Sequence, residues 1–155
     1  AEEGAIPPLV SMVCAVTPPP ATPPDSLSSA DLIPQATSPV ASVRSAALEL
    51  STVASGTIAT LAKDSAVNQI MIVEFGGIPP LVELLRSGTS PGDQNAAKAL
   101  WHLADNDENR MHIAKAGGLV ALVSLLRCAD LVTQQYTAAA LDTLARDHTE
   151  NQIAL

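Results

Sequence analysis

The stretch FGGIPPLVELLR, residues Phe75–Arg86, decides the fold because the chain repeats it. A close copy, EGAIPPLVSMV, occupies Glu3–Val13, and a looser one, AGGLVALVSLLR, occupies Ala116–Arg127. Ile78 and Leu119 hold equivalent places in two of these copies. The interval between them, about 40 residues, is typical of stacked helical units, none of which can bury its apolar face alone.

A second phrase repeats with the same period. TIATLAKDSAVNQI, ALWHLADNDENRMHI and ALDTLARDHTENQI carry evenly spaced anchors at Leu61, Leu103 and Leu144. The first interval of the other phrase is nearly twice as long, since it runs from Ile6 to Ile78. Because insertions within a repeat array fall between its helices, the excess length predicts an insertion in the first unit.

Each unit is predicted to contain three helices. The first is short, and a pair of glycines follows it, because glycine tolerates the positive φ that ends a helix and turns the chain. The second helix carries proline in its first turn, where the missing amide costs little, and the third helix is the longest. First helices are predicted at Ala66–Glu74, Glu108–Lys115 and Glu150–Leu155, and third helices at Asp93–Ala104 and Leu131–Ala145.

The core is predicted from apolar residues at helical spacing. Aromatic residues are only 2% of the chain, so alanine and branched aliphatic side chains must fill the core. The expected core residues of one unit are Ile78, Leu81, Val82, Leu84 and Leu85 on the second helix, and Ala96, Ala97, Leu100, Leu103 and Ala104 on the third. In the preceding third helix they are Val43, Ala47, Leu50, Ala54, Ile58 and Leu61, with Ser38 as the candidate N-cap and Pro39 at the first position.

These residues resemble the armadillo repeat. The family pattern N-A-A-x-A-L-x-x-L-A is matched by Asn95–Ala104, its connecting asparagine by Asn109, and its I-x-x-A-G-G-I-x-x-L-V-x-L-L run by Ile113–Leu126. The resemblance implies an all-α, right-handed solenoid, with the related HEAT helical repeat as the alternative.

The expected organisation follows the repeat. It comprises residues 1–16 as the second helix of a first repeat, 17–39 as an insertion loop, 40–65 as an extended third helix, 66–107 and 108–149 as two armadillo repeats, and 150–155 as the start of another. Repeat arrays usually end in polar capping units, and neither end of this sequence resembles one. We therefore expect a segment of a longer array; the alternative is a short natural protein with frayed ends.

The insertion, Thr17–Pro39, holds seven of the twelve prolines, which block helix formation and favour extended stretches. It could be a docking or regulatory loop, because Thr17, Thr22 and Ser38 each precede proline and phosphorylation there would add negative charge. Pro20–Pro23 fits P-x-x-P, although no arginine flanks it. The alternative is a tolerated surface insertion, whose loop entropy costs little.

The net charge of −8 disfavours nucleic acid and anionic membranes as partners. No apolar run approaches the length of a membrane span, so no membrane insertion is expected. Cys14 and Cys128 form no disulfide framework and are expected to be small buried residues near the ends of second helices. The expected compartment is the cytoplasm, with the nucleus or an organelle left open, and secretion is not expected.

The sequence offers no chemistry for catalysis. His102, His112 and His148 have no cysteine or carboxylate at metal-ligand spacing, and there is no phosphate-binding loop or hydrolase motif. We therefore predict that the chain is not an enzyme and binds no metal or cofactor.

The resemblance implies a binding groove lined by successive third helices. Nuclear import adaptors of this family hold an extended basic peptide there with repeated tryptophan and asparagine residues. The tryptophan places are here Gly56, Lys98 and Ala139, and the asparagine places are Thr60, His102 and Thr143. None matches, and Lys98 would repel a basic cargo, which argues against an import adaptor.

The single tryptophan, Trp101, lies one residue away from the core spacing. It could be an exposed anchor, since tryptophan is enriched at binding hot spots, or it could pack between neighbouring third helices. The predicted partner-binding residues are Thr60, Lys98, Trp101, His102, Asp105, Ala139, Asp142 and Thr143.

The expected function is a scaffold or adaptor that binds other proteins through a preformed solenoid surface. One alternative is a structural subunit that holds neighbouring proteins together in a large assembly. Another is the substrate-recruiting arm of a ubiquitin ligase.

Overall fold

The computed structural model describes residues 39–86, 90–127, 130–146 and 149–154, and within these ranges every regular element is a helix. The helices are α1 Pro39–Ala62, α2 Ala66–Glu74, α3 Ile78–Arg86, α4 Ser90–Leu103, α5 Asp107–Lys115, α6 Gly118–Leu125, α7 Leu131–Ala145 and α8 Thr149–Ala154.

The helices repeat in groups of three. Helices α2, α3 and α4 form one unit, and α5, α6 and α7 form a second in the same order. Like packs on like between the units: α2 contacts α5, α3 contacts α6 and α4 contacts α7, while α1 packs beside α4 as a third helix. The predicted all-α helical-repeat solenoid is therefore confirmed.

The core is continuous along this stack. The five apolar residues predicted on α3 are all buried, as are the five predicted along α4 and directly after its last residue. Equivalent positions recur in the next unit, where Ile113, Leu122 and Leu144 are fully buried. Many of the core side chains on the third helices are alanines, and small side chains let neighbouring helix axes approach closely.

The two glycines between first and second helices have different roles. Gly76 and Gly117 have φ of 75° and 80°, in the left-handed region that side chains with a Cβ rarely adopt. A Cβ on Gly77 would lie 2.6 Å from Ile72 Cγ2 and 2.8 Å from the Ile72 carbonyl oxygen. One glycine of the pair thus makes the turn, and the other lets the second helix start directly against the first.

Asparagines of the first helices cap the preceding third helices. The Nδ2 atoms of Asn68, Asn109 and Asn151 donate to the carbonyls of Leu61, Leu103 and Leu144 at 2.8, 3.1 and 2.8 Å. These acceptors are the three leucines that anchor the second repeated phrase. The asparagine recurs because the last carbonyls of a helix have no partner within that helix.

The helix starts differ slightly from the predicted ones. Helix α4 begins at Ser90, earlier than the predicted Asp93. Pro91 lies in its first turn, where proline is well tolerated because its missing amide would be unpaired there anyway. Helix α5 begins one residue early, after the Asn106 side chain accepts from the amides of Glu108 and Asn109. Helices α2 and α7 have the predicted bounds.

One position of the apolar face predicted on α1 is exposed. Leu50 is exposed, whereas Ser51 and Ser55 are buried with Ala54 and Ile58. The prediction of a core position at Leu50 is therefore wrong. Small serines are thus buried in α1, the helix that packs beside α4.

Several predictions concern residues outside the described ranges. They are the second helix within residues 1–16, the insertion up to the candidate cap Ser38, Cys14, Cys128, His148 and Leu155.

Candidate protein-binding surface

The predicted binding residues lie on the third helices α1, α4 and α7, except Asp105, which follows the end of α4. Helices α1 and α4 are held together by Asn95, whose Nδ2 donates to the Thr52 carbonyl at 2.9 Å. The amide of Asn95 lies against Gly56, where an added Cβ would be 3.0 Å from Nδ2. The tryptophan place of the first third helix is thus occupied by a close helix–helix contact.

Aromatic rings connect α4 to α7. Trp101 is half-buried against the core, and its ring centroid lies 6.1 Å from that of Tyr136. The Nζ atom of Lys98 lies 5.6 Å from the centroid of Tyr136, within the range of a cation–π contact. Trp101 therefore contacts the neighbouring third helix and also retains exposed surface.

His102 supports this cluster from beneath. Its ring stacks on Trp101 with centroids 4.7 Å apart, and the residue is buried. Burial lowers the pKa of His102, opposed by Asp105 and reinforced by Lys98, so the ring is neutral at pH 7. Its Nε2 has no hydrogen-bond partner within the described ranges. A neutral, buried imidazole can position Trp101 but offers little surface to a partner.

The other predicted residues differ in exposure. Thr60 and Asp105 are exposed, Ala139 is half-buried, and Thr143 is buried with its hydroxyl donating to the Ala139 carbonyl at 3.0 Å. Asp142 is exposed and forms an ion pair with Arg146 at 2.9 Å. We define the third-helix face as the predicted residues that retain exposed surface together with Tyr136. Its members are Thr60, Lys98, Trp101, Asp105, Tyr136, Ala139 and Asp142.

Sequence reasoning missed Asn95 and Tyr136. The two residues are one repeat apart, at equivalent places on α4 and α7, and each reaches back to the preceding third helix. This shared register was available in the sequence. The contacts that Asn95 and Tyr136 make could not be predicted, because residue spacing does not say which side of the neighbouring helix a side chain meets.

The described residues show neither a metal centre nor a membrane span. No group of three or more His, Cys, Asp or Glu side chains within these ranges is arranged to hold a metal ion. None of the helices α1 to α8 is long and apolar enough to cross a bilayer.

Comparisons with known proteins agree with this architecture. The family model described as armadillo/beta-catenin-like repeat matches residues 65–105 and 106–146. No curated protein matches the chain. Among solved structures, two engineered proteins are similar at 27% and 28% identity, with TM-scores of 0.71 and 0.72 over 96% and 97% of this chain.

A designed armadillo repeat protein in complex with the peptide (KR)4 is also similar, at 22% identity and a TM-score of 0.70 over 97% of this chain. At that identity the likeness concerns the fold. The chain spans 49%, 29% and 52% of the lengths of these three structures, about half or less.

Proposed function

This chain belongs to the armadillo/beta-catenin-like repeat family, and we propose that it is a scaffold whose third-helix face binds a segment of another protein. The observation that carries the proposal is Trp101, which spans α4 and α7 while retaining exposed surface. A half-exposed tryptophan held in place by stacking is a suitable anchor, because its area is buried without ordering a flexible side chain.

The chemistry of the face supports a segment that is not strongly basic. The similar designed protein is in complex with an alternating lysine–arginine peptide. In this chain Lys98 lies at the centre of the face, over Tyr136, and would repel such a peptide. The same face also carries the exposed carboxylates of Asp105 and Asp142, so we expect a segment of mixed charge with an apolar residue for Trp101.

Photo-crosslinking tests this proposal. A benzoylphenylalanine placed at Thr60 or at Ala139 should form an adduct with a partner protein, identified by mass spectrometry. The matched control is the same residue at Glu83, exposed on the second helix α3. Trp101→Ala should abolish the adducts from the third-helix face. Equal adducts from Glu83, or adducts that survive Trp101→Ala, would contradict the proposal.

A second candidate, a structural subunit of an assembly, is favoured by an open end of the stack. Val82 and Leu85 on α3 are 2% and 5% exposed, and α6 packs on α3. Their equivalents, Val123 on α6 and the C-cap residue Leu126, are 43% and 42% exposed. This apolar surface suits another helical unit, whether it belongs to the same protein or to a neighbouring subunit.

The two candidates make different predictions for the assembled complex. Leu126→Glu should release the protein from a stoichiometric assembly if the end of α6 is the contact. Val120→Glu is the control, since Val120 is exposed on the same helix at the place of exposed Pro79. Retention of the Leu126 variant in the assembly would remove this second candidate.

A further inference from the structure

The first helix of the first complete unit has an apolar outer face. The outer face of α2 consists of Val67, Ile70, the partly buried Met71, Glu74 and the C-cap residue Phe75, at positions i, i+3, i+4, i+7 and i+8. Val67, Ile70 and Phe75 are 67%, 42% and 49% exposed, and Phe75 is the only phenylalanine in the chain. This spacing is the stripe by which one helix packs against another.

Three of the same five positions of the next unit are polar or charged, and only Met111 is a large exposed apolar side chain. On α5 and its C-cap they are Glu108, Met111, His112, Lys115 and Ala116, so that charged side chains surround the one exposed methionine. The apolar character of α2 is therefore not a requirement of the repeat. It is a property of this one helix.

Stacking of repeats does not account for the face. Helix α5 has a preceding unit against it, with Asn109 Nδ2 donating to the Gln69 carbonyl at 3.4 Å. Even so, Glu108, Met111 and Lys115 remain exposed. A preceding unit placed on α2 in the same way would leave Val67 and Ile70 uncovered, so the face is not an unfinished repeat contact.

We propose that the outer face of α2 docks a basic amphipathic helix from a partner protein. The partner's apolar stripe lies over Val67, Ile70 and Phe75, and a lysine or arginine pairs with Glu74. Glu74 is exposed within the stripe, and α2 carries no basic side chain. The net charge of −8 adds a general attraction for a cationic helix.

Charge argues against the occupants available from this chain. A second copy of α2 would bring another Glu74 and no cation to the apolar stripe. Residues 1–38 contain no lysine or arginine, so they cannot supply the pairing charge either. A basic helix of another protein meets both requirements of the face.

A helical probe peptide of about five turns tests the proposal. It carries leucines at i, i+3, i+4 and i+7 with lysines on both flanks, and its counterpart carries glutamates instead of the lysines. Binding to the whole chain is measured by fluorescence anisotropy. We expect the basic peptide to bind at least tenfold more tightly than the acidic one.

Three variants locate the site. V67E/I70E should weaken binding of the basic peptide at least tenfold, and E74K should weaken it about two- to five-fold, the effect of one exposed ion pair. The matched control is M111E, the same position as Ile70 on α5, which should change binding less than twofold. All of these positions are exposed, and circular dichroism checks that the variants stay folded.

Four results would overturn the proposal. They are no binding of the basic peptide at millimolar concentration, equal binding of the acidic peptide, unchanged binding by V67E/I70E, and self-association through α2. Sedimentation velocity detects the last, as a dimer that V67E/I70E dissolves. None of these results depends on Trp101 or the third-helix face, so failure here leaves the proposed function standing.

Discussion

Arg110 is a buried cation that joins three helix ends. Its Nε donates to the Ala104 carbonyl and its Nη1 to the Arg146 carbonyl, both at 2.8 Å, while Nη2 pairs with Asp107 at 3.0 Å. The carbonyl ends of α4 and α7 carry partial negative charge, which a guanidinium stabilises. Gln69 and Gln152, the equivalent residues, each make a single bond to the matching carbonyl, at 2.9 and 2.8 Å.

Arg110→Ala should therefore destabilise the fold by about 2 to 4 kcal/mol, because two carbonyls lose a charged donor in a buried setting. Arg110→Gln is the matched control, since glutamine at the equivalent places keeps the bond to the end of the third helix. We expect it to lose about 1 kcal/mol less than alanine does. Urea denaturation measures both, and equal losses would show that the bonds to the helix ends are not the source.

Asp93 is a buried carboxylate with an unusual titration. Burial raises the pKa of Asp93 from 3.8 to about 6, and Oδ1 has no partner within the described ranges. The folded state therefore binds more protons than the unfolded state between about pH 4 and pH 6. Over this window stability falls as the pH rises, and above about pH 7 the penalty of the charge is complete.

Asp93→Asn should remove this penalty. We expect the variant to be more stable than the wild type at pH 7.5, on the order of 1 to 3 kcal/mol, and the difference to shrink towards pH 4. Urea midpoints measured at intervals between pH 4 and pH 8 give the difference directly, because other carboxylates titrate alike in both proteins. A constant difference across this range would contradict the prediction.

At the scale of helices, the sequence predicts well which helices exist and in what order, but it predicts poorly which residues form the contacts between them. The Gly pairs, the prolines and the recurring asparagines mark where helices begin and end, since these residues act through the local backbone. The prediction of a core position at Leu50 is wrong: Leu50 is exposed, while Ser51 and Ser55 are buried, and the spacing within α1 cannot reveal which side meets a neighbouring helix. The roles of Tyr136 and Asn95 were missed for the same reason.

Replacing Gly56 by alanine, where α1 meets α4, has two opposing effects of similar size on stability. Helix propensity is gained, and the Asn95 hydrogen bond is disturbed. Gly56→Ala gains about 0.5 to 1 kcal/mol of helix propensity, but its Cβ would lie 3.0 Å from Asn95 Nδ2. Displacing Asn95 loses its bond to the Thr52 carbonyl, about 0.5 to 1.5 kcal/mol. The single substitution should therefore change stability by less than about 1 kcal/mol in either direction.

A double-mutant cycle separates the two effects. In an Asn95→Ala background the obstacle is gone, so Gly56→Ala should stabilise the protein by about 0.5 to 1 kcal/mol. The coupling free energy between the two sites is expected to be about 1 kcal/mol, measured by urea denaturation of the four proteins. Additive effects would mean that Asn95 moves aside without losing its hydrogen bond.

At the scale of the whole molecule, equivalent residues of the two units differ in exposure, because packing between units buries some surfaces and leaves others open. Ala97 on α4 is buried, whereas its equivalent Ala138 on α7 is exposed. Leu85 and Leu126, equivalent residues at the ends of the second helices, likewise differ: Leu85 is buried and Leu126 is exposed. The free energy of unfolding is thus set by the interfaces between units as well as by the units themselves.

Leu85→Ala and Leu126→Ala are a matched pair that measures this contribution. Leu85→Ala opens a cavity between α3 and α6 and should cost about 2 to 4 kcal/mol. Leu126→Ala removes a side chain that is 42% exposed and should cost less than about 1 kcal/mol. Because residue type, position in the repeat and substitution are the same, the difference in urea midpoint reports how much the neighbouring unit adds to the burial of Leu85. Equal losses would mean that Leu126 is covered in solution, by a second copy or by a segment outside the described ranges, and protein-concentration dependence of the midpoint would distinguish these two.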